Sequence, residues 1–336
     1  MLFSKSPLST RLRAGALALL VAVFSAPPLA SALPSVKIGT VVWIGYGPFY
    51  VADQLDLFKK YGLKVTLQMF TDPALIPPAI ASGALDGGML TYDQVVGQNA
   101  KGQGQKVVMP IDYSNGADAI VSDSSITTIA ELKGKQVAFN PLSPSDFLLS
   151  YALSRQNLME KDVRPVNMTP EAIPAAMVGG RVKVGVTYEP NVSQILSQGG
   201  GKKFHTIFTS RNAPGLISDV LVFDQKHIPA HGADIKALIQ GYLDGMDYMK
   251  KHPDDAARII GKVMGVSDKD VKAQLDGVYN IPGSEMHKAF EKSTDTTSYS
   301  ASGAVIGGIL KAKGQITRIP AFEETFDDQF VKAVVK

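Results

Sequence analysis

A sixteen-residue segment occurs twice in this chain without a gap, ninety-six positions apart. The copy at 78–93 reads PAIASGALDGGMLTYD, and the copy at 174–189 reads PAAMVGGRVKVGVTYE. Five positions are identical, and each copy ends in Thr-Tyr-acid directly after an apolar run that is typical of a buried strand. Chance is the alternative explanation, but the elements flanking the two copies also correspond. The repeat therefore predicts two similar lobes that offer equivalent strand ends to a ligand held between them.

The first 32 residues have the composition of a secretory signal. Three basic residues precede an apolar stretch at 14–25 that is too short to cross a bilayer, and residues 30–32 read Ala-Ser-Ala, which fits an A-x-A cleavage site. We therefore predict an exported protein that is cleaved after Ala32 and located in the periplasm. The chain contains no cysteine, so we expect neither a lipid-anchored cysteine nor a disulfide, and the apolar core must hold the fold together.

The balance of charges excludes one class of partner. The predicted signal segment holds three basic and no acidic residues, so the rest of the chain carries equal numbers of basic and acidic side chains and a net charge near zero. A nucleic-acid-binding protein needs a basic surface to neutralise phosphates, and this composition does not supply one. The length of the remaining chain is typical of about two domains, and we expect a monomer.

From residue 35 onward, β-branched apolar runs alternate with helical patterns. The runs at 36–42 and 87–90 predict strands, and the spacing of apolar residues at 48–60, followed by Gly62, predicts a helix and its end. Strands separated by helices form parallel sheets that are covered on both faces. The predicted class is therefore α/β.

The same series of elements begins again near residue 136. A further apolar run at 217–223 predicts a strand that returns to the first lobe, so two crossings form a hinge between the lobes. After His227 the patterns are mainly helical, which predicts an outer layer of helices. The predicted domains are a signal peptide at 1–32, a discontinuous first lobe at 33–121 and 222–336 that includes the C-terminal helices, and a second lobe at 122–221.

The loop after the first predicted strand combines aromatic rings with glycines. It begins at Trp43, reads WIGYG and opens a helix, so free backbone amides and ring faces are available to a small ligand. The two glycines also form part of the dinucleotide fingerprint G-x-G-x-x-G. Tyr50 occupies the third glycine position, which argues against a dinucleotide site. Trp43 and Tyr46 are therefore predicted to line the cleft.

Polar residues at predicted helix starts and one acid inside an apolar run complete the candidate site. Thr91, Asp93 and Glu189 can contact a ligand, but a threonine cap or an acid in the first helical turn is also stabilising by itself. Asp219 lies within the apolar run at 216–223, where a buried charge requires a partner. The predicted ligand-binding residues are Trp43, Tyr46, Thr91, Tyr92, Asp93, Ser143, Ser145, Asp146, Tyr188, Glu189 and Asp219.

Catalytic motifs are weak throughout the chain. It has no nucleophile elbow, no cysteine and no H-E-x-x-H sequence, and its five histidines are scattered. We therefore predict no catalytic residue, no metal site and no cofactor. An exported α/β enzyme that uses Asp93 or Glu189 as a general base is the alternative.

Several segments resemble the periplasmic solute-binding proteins of ABC importers, in the nitrate/sulfonate/taurine group that also includes thiamine-precursor binders. The segments that carry the resemblance are VKIGTVVWIGYGPFYVADQLDLFKKYGLKV, SGALDGGMLT, IAELKGKQVAF, GVTYEPNV and HPDDAARIIG. The resemblance implies a two-lobed periplasmic-binding-protein type II fold, in which each lobe is a mostly parallel sheet flanked by helices. It also implies a protein that is not an enzyme and that delivers a small-molecule solute to an ABC permease at the inner membrane.

The sequence departs from that group at the expected cleft. The residue before Glu-Pro is usually tryptophan in that group, and here it is Tyr188. The loop at Trp43 also differs from that of taurine or alkanesulfonate receptors. Acids near a ring-lined cleft repel an anion and attract a cation, and each ring adds about 0.5 to 2 kcal/mol through cation–π contact. We therefore predict a nitrogenous solute that is cationic, zwitterionic or urea-like. An alkanesulfonate is the main rival, and a thiamine-pyrimidine-precursor-related protein is a further alternative.

Overall fold

The structure is a computed structural model that describes residues 1–4 and 33–335. Most of the predicted signal peptide, including its cleavage site after Ala32, lies outside the described residues. Residues 33–335 form two β-sheets flanked by helices. No helix in this range combines the length and the apolar character that a bilayer crossing demands.

The strands and helices alternate along most of the chain. The strands are β1 (Ser35–Thr40), β2 (Lys64–Met69), β3 (Gly87–Thr91), β4 (Gln105–Ser114), β5 (Asp118–Asp123), β6 (Gln136–Phe139), β7 (Arg164–Asn167), β8 (Val184–Tyr188), β9 (Phe204–Thr209), β10 (Ser218–Asp224) and β11 (Val278–Asn280). The α-helices are α1 (Gly47–Gln54), α2 (Ile76–Ala81), α3 (Tyr92–Ala100), α4 (Pro144–Ser154), α5 (Ile173–Val178), α6 (Asn191–Leu196), α7 (Ile228–Lys251), α8 (Pro253–Met264), α9 (Asp268–Leu275), α10 (Tyr299–Ala312) and α11 (Gln329–Val334).

The two sheets have the same strand order. The first sheet runs β2-β1-β3-β10-β4-β11, and the second runs β7-β6-β8-β5-β9. In each sheet the first three strands are parallel and the fourth is antiparallel to both of its neighbours. Strands β1 to β5 therefore correspond in order to β6 to β10. The predicted α/β class with two mostly parallel sheets is confirmed.

The chain crosses between the sheets twice. It leaves the first sheet after β4 and enters the second at β5, and it returns between β9 and β10. Each of these entering strands is the antiparallel fourth strand of its new sheet. The predicted lobe boundaries, at 121/122 and 221/222, fall inside β5 and β10, so each strand straddles a boundary. The division of the chain into domains stays a prediction.

The sixteen-residue repeat folds in the same way in both copies. Each copy holds the greater part of a six-residue helix followed by a five-residue strand in which every residue is buried. A Cβ on Gly88 would lie 2.7 Å from Cγ2 of Ile76, and a Cβ on Gly185 would lie 2.5 Å from Cγ2 of Ile173. Gly88 and Gly185 are each the second residue of their strand, one residue out of step with the sequence repeat, and each allows the same close contact between helix and strand.

The C-terminal helices pack mainly on helices of the first sheet. Helix α7 contacts α1, and α10 contacts α3. Tyr92 at the start of α3 stacks on Tyr299 at the start of α10, with ring centroids 4.3 Å apart. These contacts build the outer helical layer that the sequence predicts, and they carry α10 to the boundary with α4, which covers the second sheet.

Candidate functional site

A small cavity lies between the two sheets, where strand ends from both sheets meet. The first sheet contributes the segment after β1, the end of β3 and the start of β10, and the second sheet contributes the start of β5 and the end of β8. Five predicted ligand-binding residues line it, and their side chains are almost fully buried: Trp43, Tyr46, Thr91, Tyr188 and Asp219. This cavity is the candidate ligand site.

Aromatic rings from both sheets form one wall of the cavity. The ring of Trp43 meets the ring of Tyr188 edge-on, with centroids 5.8 Å apart and planes at 90°. The indole N–H of Trp43 points at the carboxylate of Asp112, with distances of 3.3 and 3.4 Å to its two oxygens. A Cβ on Gly45 would lie 2.3 Å from both the indole nitrogen and that carboxylate, so this loop needs glycine there.

Acidic side chains come to the cavity from the two crossing strands. Asp219 in β10 is paired with Thr91 on one side and with Asp112 on the other, and its Oδ1 accepts a hydrogen bond of 2.5 Å from the hydroxyl of Tyr46. Asp118 begins the equivalent strand, β5, and is paired with Tyr188. Within residues 33–335, Oδ1 of Asp118 and the hydroxyl of Tyr188 are buried and have no hydrogen-bond partner.

Burial shifts the protonation of these acids strongly. It raises the pKa of Asp118 and that of Asp112 to about 8 each, and burial together with the neighbouring Asp112 charge holds the pKa of Asp219 well above its usual range. Among the described residues, the cavity walls include no lysine, arginine or histidine. A cation that enters this site supplies the missing opposite charge, whereas an anion meets repulsion of about 4 kcal/mol per ionised acid at 4 Å and an effective dielectric near 20.

Two of the predicted residues at the repeat ends point elsewhere. The hydroxyl of Tyr92 lies 2.8 Å from Oγ1 of Thr325, in the packing between α3 and the C-terminal segment. The carboxylate of Glu189 accepts hydrogen bonds from the backbone N–H and the hydroxyl of Ser193, at 3.0 and 2.8 Å, and so caps α6. The structure does not place either side chain in the cavity wall.

The predicted residues at the start of α4 lie beside the cavity rather than in it. Ser143 accepts a hydrogen bond of 3.2 Å from the backbone N–H of Ser145 and caps the helix. Ser143, Asp146 and Asp93 line a neighbouring cavity between α3, α4 and α10. Burial raises the pKa of Asp93 to about 6, and its Oδ1 has no hydrogen-bond partner among the described residues.

Sequence reasoning missed three residues of this region. Asp112 and Asp118 bound apolar runs, so the buried-charge argument that singled out Asp219 also applied to them. The sequence signal for Gln94 was its capping-box spacing from Thr91. In the structure its Oε1 accepts a hydrogen bond from the Thr91 backbone N–H at 3.3 Å. Its amide nitrogen donates to the backbone oxygens of Pro73 and Leu142, each at 3.2 Å, so Gln94 joins the two sides of the cleft.

Metal binding finds no support in residues 33–335. No group of three or more histidine, cysteine, aspartate and glutamate side chains is arranged there to hold an ion.

The family model described as NMT1/THI5 like matches residues 43–256, which is more than half of the chain and includes the whole cavity wall except Val41. The chain belongs to the NMT1/THI5-like family. This NMT1/THI5-like chain is 26% identical over 238 residues to the taurine-binding periplasmic protein of Escherichia coli. The aligned region covers 68% of this chain and 73% of that protein. The resemblance to periplasmic solute-binding proteins of the nitrate/sulfonate/taurine group is confirmed.

Solved structures share the fold of this NMT1/THI5-like chain at low sequence identity. The alkanesulfonate-binding protein of Xanthomonas axonopodis pv. citri, bound to MOPS, has a TM-score of 0.73 and 17% identity, covering 88% of this chain and 99% of that one. The desulfurization enzyme DSZB has a TM-score of 0.64 and 11% identity, covering 90% and 98%. The fold is therefore that of periplasmic binding proteins, and it is also found in an enzyme.

Proposed function

We propose that this protein is the extracytoplasmic solute-binding component of an ABC importer and that it captures a small cationic or zwitterionic nitrogenous solute. The observation that carries this proposal is the meeting of Asp118 and Asp219 in one buried cavity whose described walls include no basic residue. Buried carboxylates of this kind need a positive partner or a proton. A nitrogenous cation meets that need and a sulfonate does not.

The other walls support the same ligand chemistry. The rings of Trp43, Tyr46 and Tyr188 offer faces and edges to a small cation, and each ring contributes about 0.5 to 2 kcal/mol to its binding. Oδ1 of Asp118 and the hydroxyl of Tyr188 are free to accept hydrogen bonds from ligand N–H groups. A urea-like solute fits the same acceptors, although it gains less from the ionised acids.

Family membership supports the transport role. Two relatives of this chain are named as an aliphatic sulfonates-binding protein and a taurine-binding periplasmic protein, and a periplasmic nitrate-binding protein shares its fold. By this argument the protein works in the periplasm as a monomer and passes its solute to an inner-membrane permease. The acids of the cavity distinguish its solute from a simple sulfonate or nitrate.

The test is calorimetric titration of the purified protein with guanidinium, small amines, urea, taurine and nitrate. We expect binding of one nitrogenous cation, and Asp118→Asn and Asp219→Asn should each weaken it about 10- to 100-fold, because a hydrogen bond to a charged group contributes about 1.5 to 3 kcal/mol. Asp247→Asn, an exposed acid on α7, is the matched control. Tight binding of nitrate or a sulfonate alone would contradict the cationic ligand.

The same mixtures distinguish a binding protein from an enzyme of the same fold. Nuclear magnetic resonance of the recovered solute should show it chemically unchanged after prolonged incubation. Turnover that depends on Asp93 or Glu189 would favour the enzyme instead. Because Trp43 is the only tryptophan of the chain, its fluorescence should change when the solute binds.

A further inference from the structure

Helix α10 belongs to the first-sheet side of the molecule but reaches α4 on the second-sheet side. Its first residue, Tyr299, stacks on Tyr92 of α3, which fixes α10 to the first sheet. At its other end, Lys313 follows the last helical residue and lies 12% exposed against α4. The side chain of Lys313 therefore connects the first-sheet side of the molecule to the second-sheet side.

The ammonium group of Lys313 has a complete set of acceptors across this boundary. It donates to the carboxylate of Asp146, to Oε2 of Glu160 at 2.6 Å and to the hydroxyl of Ser150 at 2.9 Å. An ammonium has three protons, so all of its hydrogen-bonding capacity is used. All three acceptors lie between residues 146 and 160, in or just after α4.

Asp146 is the centre of this contact. Its side chain is 5% exposed, and its Oδ2 accepts hydrogen bonds from the backbone N–H of Leu142 at 2.9 Å and from the amide of Gln315 at 3.0 Å. The carbonyl oxygen of the same Leu142 accepts the hydrogen bond from Gln94 at 3.2 Å. Gln94 of α3 thus holds the turn that precedes α4 directly. Gln315, just after α10, holds the same turn through Asp146.

We infer that Lys313 is a positioning residue for solute binding, which holds the cleft closed without contacting the solute. Lys313 does not line the cavity that contains Asp118 and Asp219. Removing its ammonium leaves Asp146 and Glu160 facing each other at a closed boundary, and opening the cleft returns both carboxylates to water. The closed state therefore loses stability relative to the open one, and the bound solute escapes faster.

The affinity part of this inference rests on the proposed solute-binding function, and the experiment is chosen to separate the two. Lys313→Met removes the charge and keeps most of the aliphatic length, whereas Lys311→Met makes the same change at an exposed position of the same helix. Lys313→Arg keeps the positive charge, so it should keep most of the stabilisation of the closed cleft. Circular dichroism and thermal melting confirm that each variant folds.

The dissociation rate of the bound solute is measured by stopped flow with Trp43 fluorescence. In Lys313→Met it should rise about tenfold or more, with a smaller change in the association rate, because the lost contact is made only in the closed state. Lys311→Met should match the unmodified protein. Equal dissociation rates for the two methionine variants would overturn the inference.

Hydrogen exchange of the ligand-free protein gives a readout that needs no solute. The amides at 142–150 should exchange several-fold faster in Lys313→Met than in Lys311→Met, because Asp146 loses its partner and the turn at Leu142 loosens. If no compound of the panel binds the unmodified protein, the proposed function fails. The hydrogen-exchange comparison alone then decides whether Lys313 holds the turn at Leu142. Equal exchange at 142–150 would then overturn the role of Lys313.

Discussion

Ser114 and Ser210 share a hydrogen bond of 2.8 Å between their hydroxyl groups, and they are ninety-six positions apart, which is the spacing of the sequence repeat. Ser114 ends β4 and Ser210 follows β9, so each stands where one crossing begins. The next pair of residues with this spacing also interacts, because Nε of Arg211 donates to the carbonyl oxygen of Asn115 at 2.8 Å. The two crossings between the sheets therefore contact each other directly through these hydrogen bonds.

Replacing Ser210 with alanine should destabilise the protein. Its hydroxyl accepts a hydrogen bond of 2.6 Å from the backbone N–H of Gly116 in addition to its contact with Ser114. The variant leaves the Gly116 N–H without this acceptor, while Ser114 keeps only the hydrogen bond from the backbone N–H of Asp118. The free energy of unfolding should fall by about 1 to 3 kcal/mol, as is typical for losing one partner of a buried polar group. Urea denaturation measures it. Ser197→Ala removes an exposed hydroxyl and should change the unfolding free energy little; an equal loss in both variants would contradict the role of Ser210.

The glycine at the second residue of β3 and of β8 should tolerate no side chain in either sheet. In Gly88→Ala the new methyl group meets Ile76 and Ile80, and in Gly185→Ala it meets Ile173 and Met177. Overpacking of this kind costs about 1 to 3 kcal/mol of unfolding free energy.

Gly308→Ala is the control for these two variants. A Cβ at this position of α10 has no atom within 4 Å, so the substitution should be neutral or stabilising by up to about 1 kcal/mol through helix propensity. Thermal and urea denaturation compare the three variants. A Gly185→Ala variant as stable as Gly308→Ala would show that the second sheet rearranges around the added methyl group.

Affinity for a cationic solute should rise with pH. The pKa of Asp118 is about 8 in the buried cavity, so below that pH the acid holds a proton that a bound cation must displace. Affinity should therefore increase between about pH 6 and pH 8 and then level off. Calorimetry at several pH values measures it, and titration in buffers with different ionisation enthalpies should show proton release. Asp118→Asn should flatten this dependence, and an affinity that is constant from pH 6 to 9 would speak against these acids as the binding groups.

The stability of the ligand-free protein should change with pH in the opposite direction. Asp112 and Asp118 have a pKa of about 8 when folded and an ordinary carboxyl pKa near 4 when unfolded, so the folded state binds more protons between these values. Their contribution to stability is fully present below about pH 4 and is lost as the pH rises through 8. The melting temperature should fall from about pH 5 to pH 8 and then level off. In Asp118→Asn the fall should be smaller, and a melting temperature that rises over this range would contradict the burial of ionisable acids.

Part of the candidate site was predictable because local chemistry marks it. Trp43 and Tyr46 stand in a glycine-containing loop between a strand and a helix, and Asp219 is an acid within an apolar run. Each of these signals lies within a few residues of the side chain concerned. Asp112 and Asp118 carried the same signal less clearly, because they stand at the ends of apolar runs and not within them.

Other predicted residues could not be judged from local sequence. Tyr92 and Tyr188 occupy the same position in the two repeat copies, yet Tyr92 packs on Tyr299 and Tyr188 lines the cavity against Trp43. The difference arises because Tyr92 is the first residue of α3, whereas Tyr188 is the last residue of β8, so the matched secondary structure is one residue out of step with the sequence repeat. Glu189 likewise points away from the cavity, because its carboxylate accepts hydrogen bonds from the backbone N–H and the hydroxyl of Ser193.

The sequence by itself determined the repeated helix–strand unit and the existence of two matched sheets, because periodic apolar residues and recurring glycines act through neighbours along the chain. Only the tertiary structure decided which acids meet. Asp219 lies beside Asp112 because β10 returns from the second sheet and runs antiparallel to β4, and Asp118 faces the same cavity because β5 makes the opposite crossing. Pairing between distant strands depends on long-range register, which local patterns do not encode, and that register concentrates buried carboxyl groups where the two sheets meet.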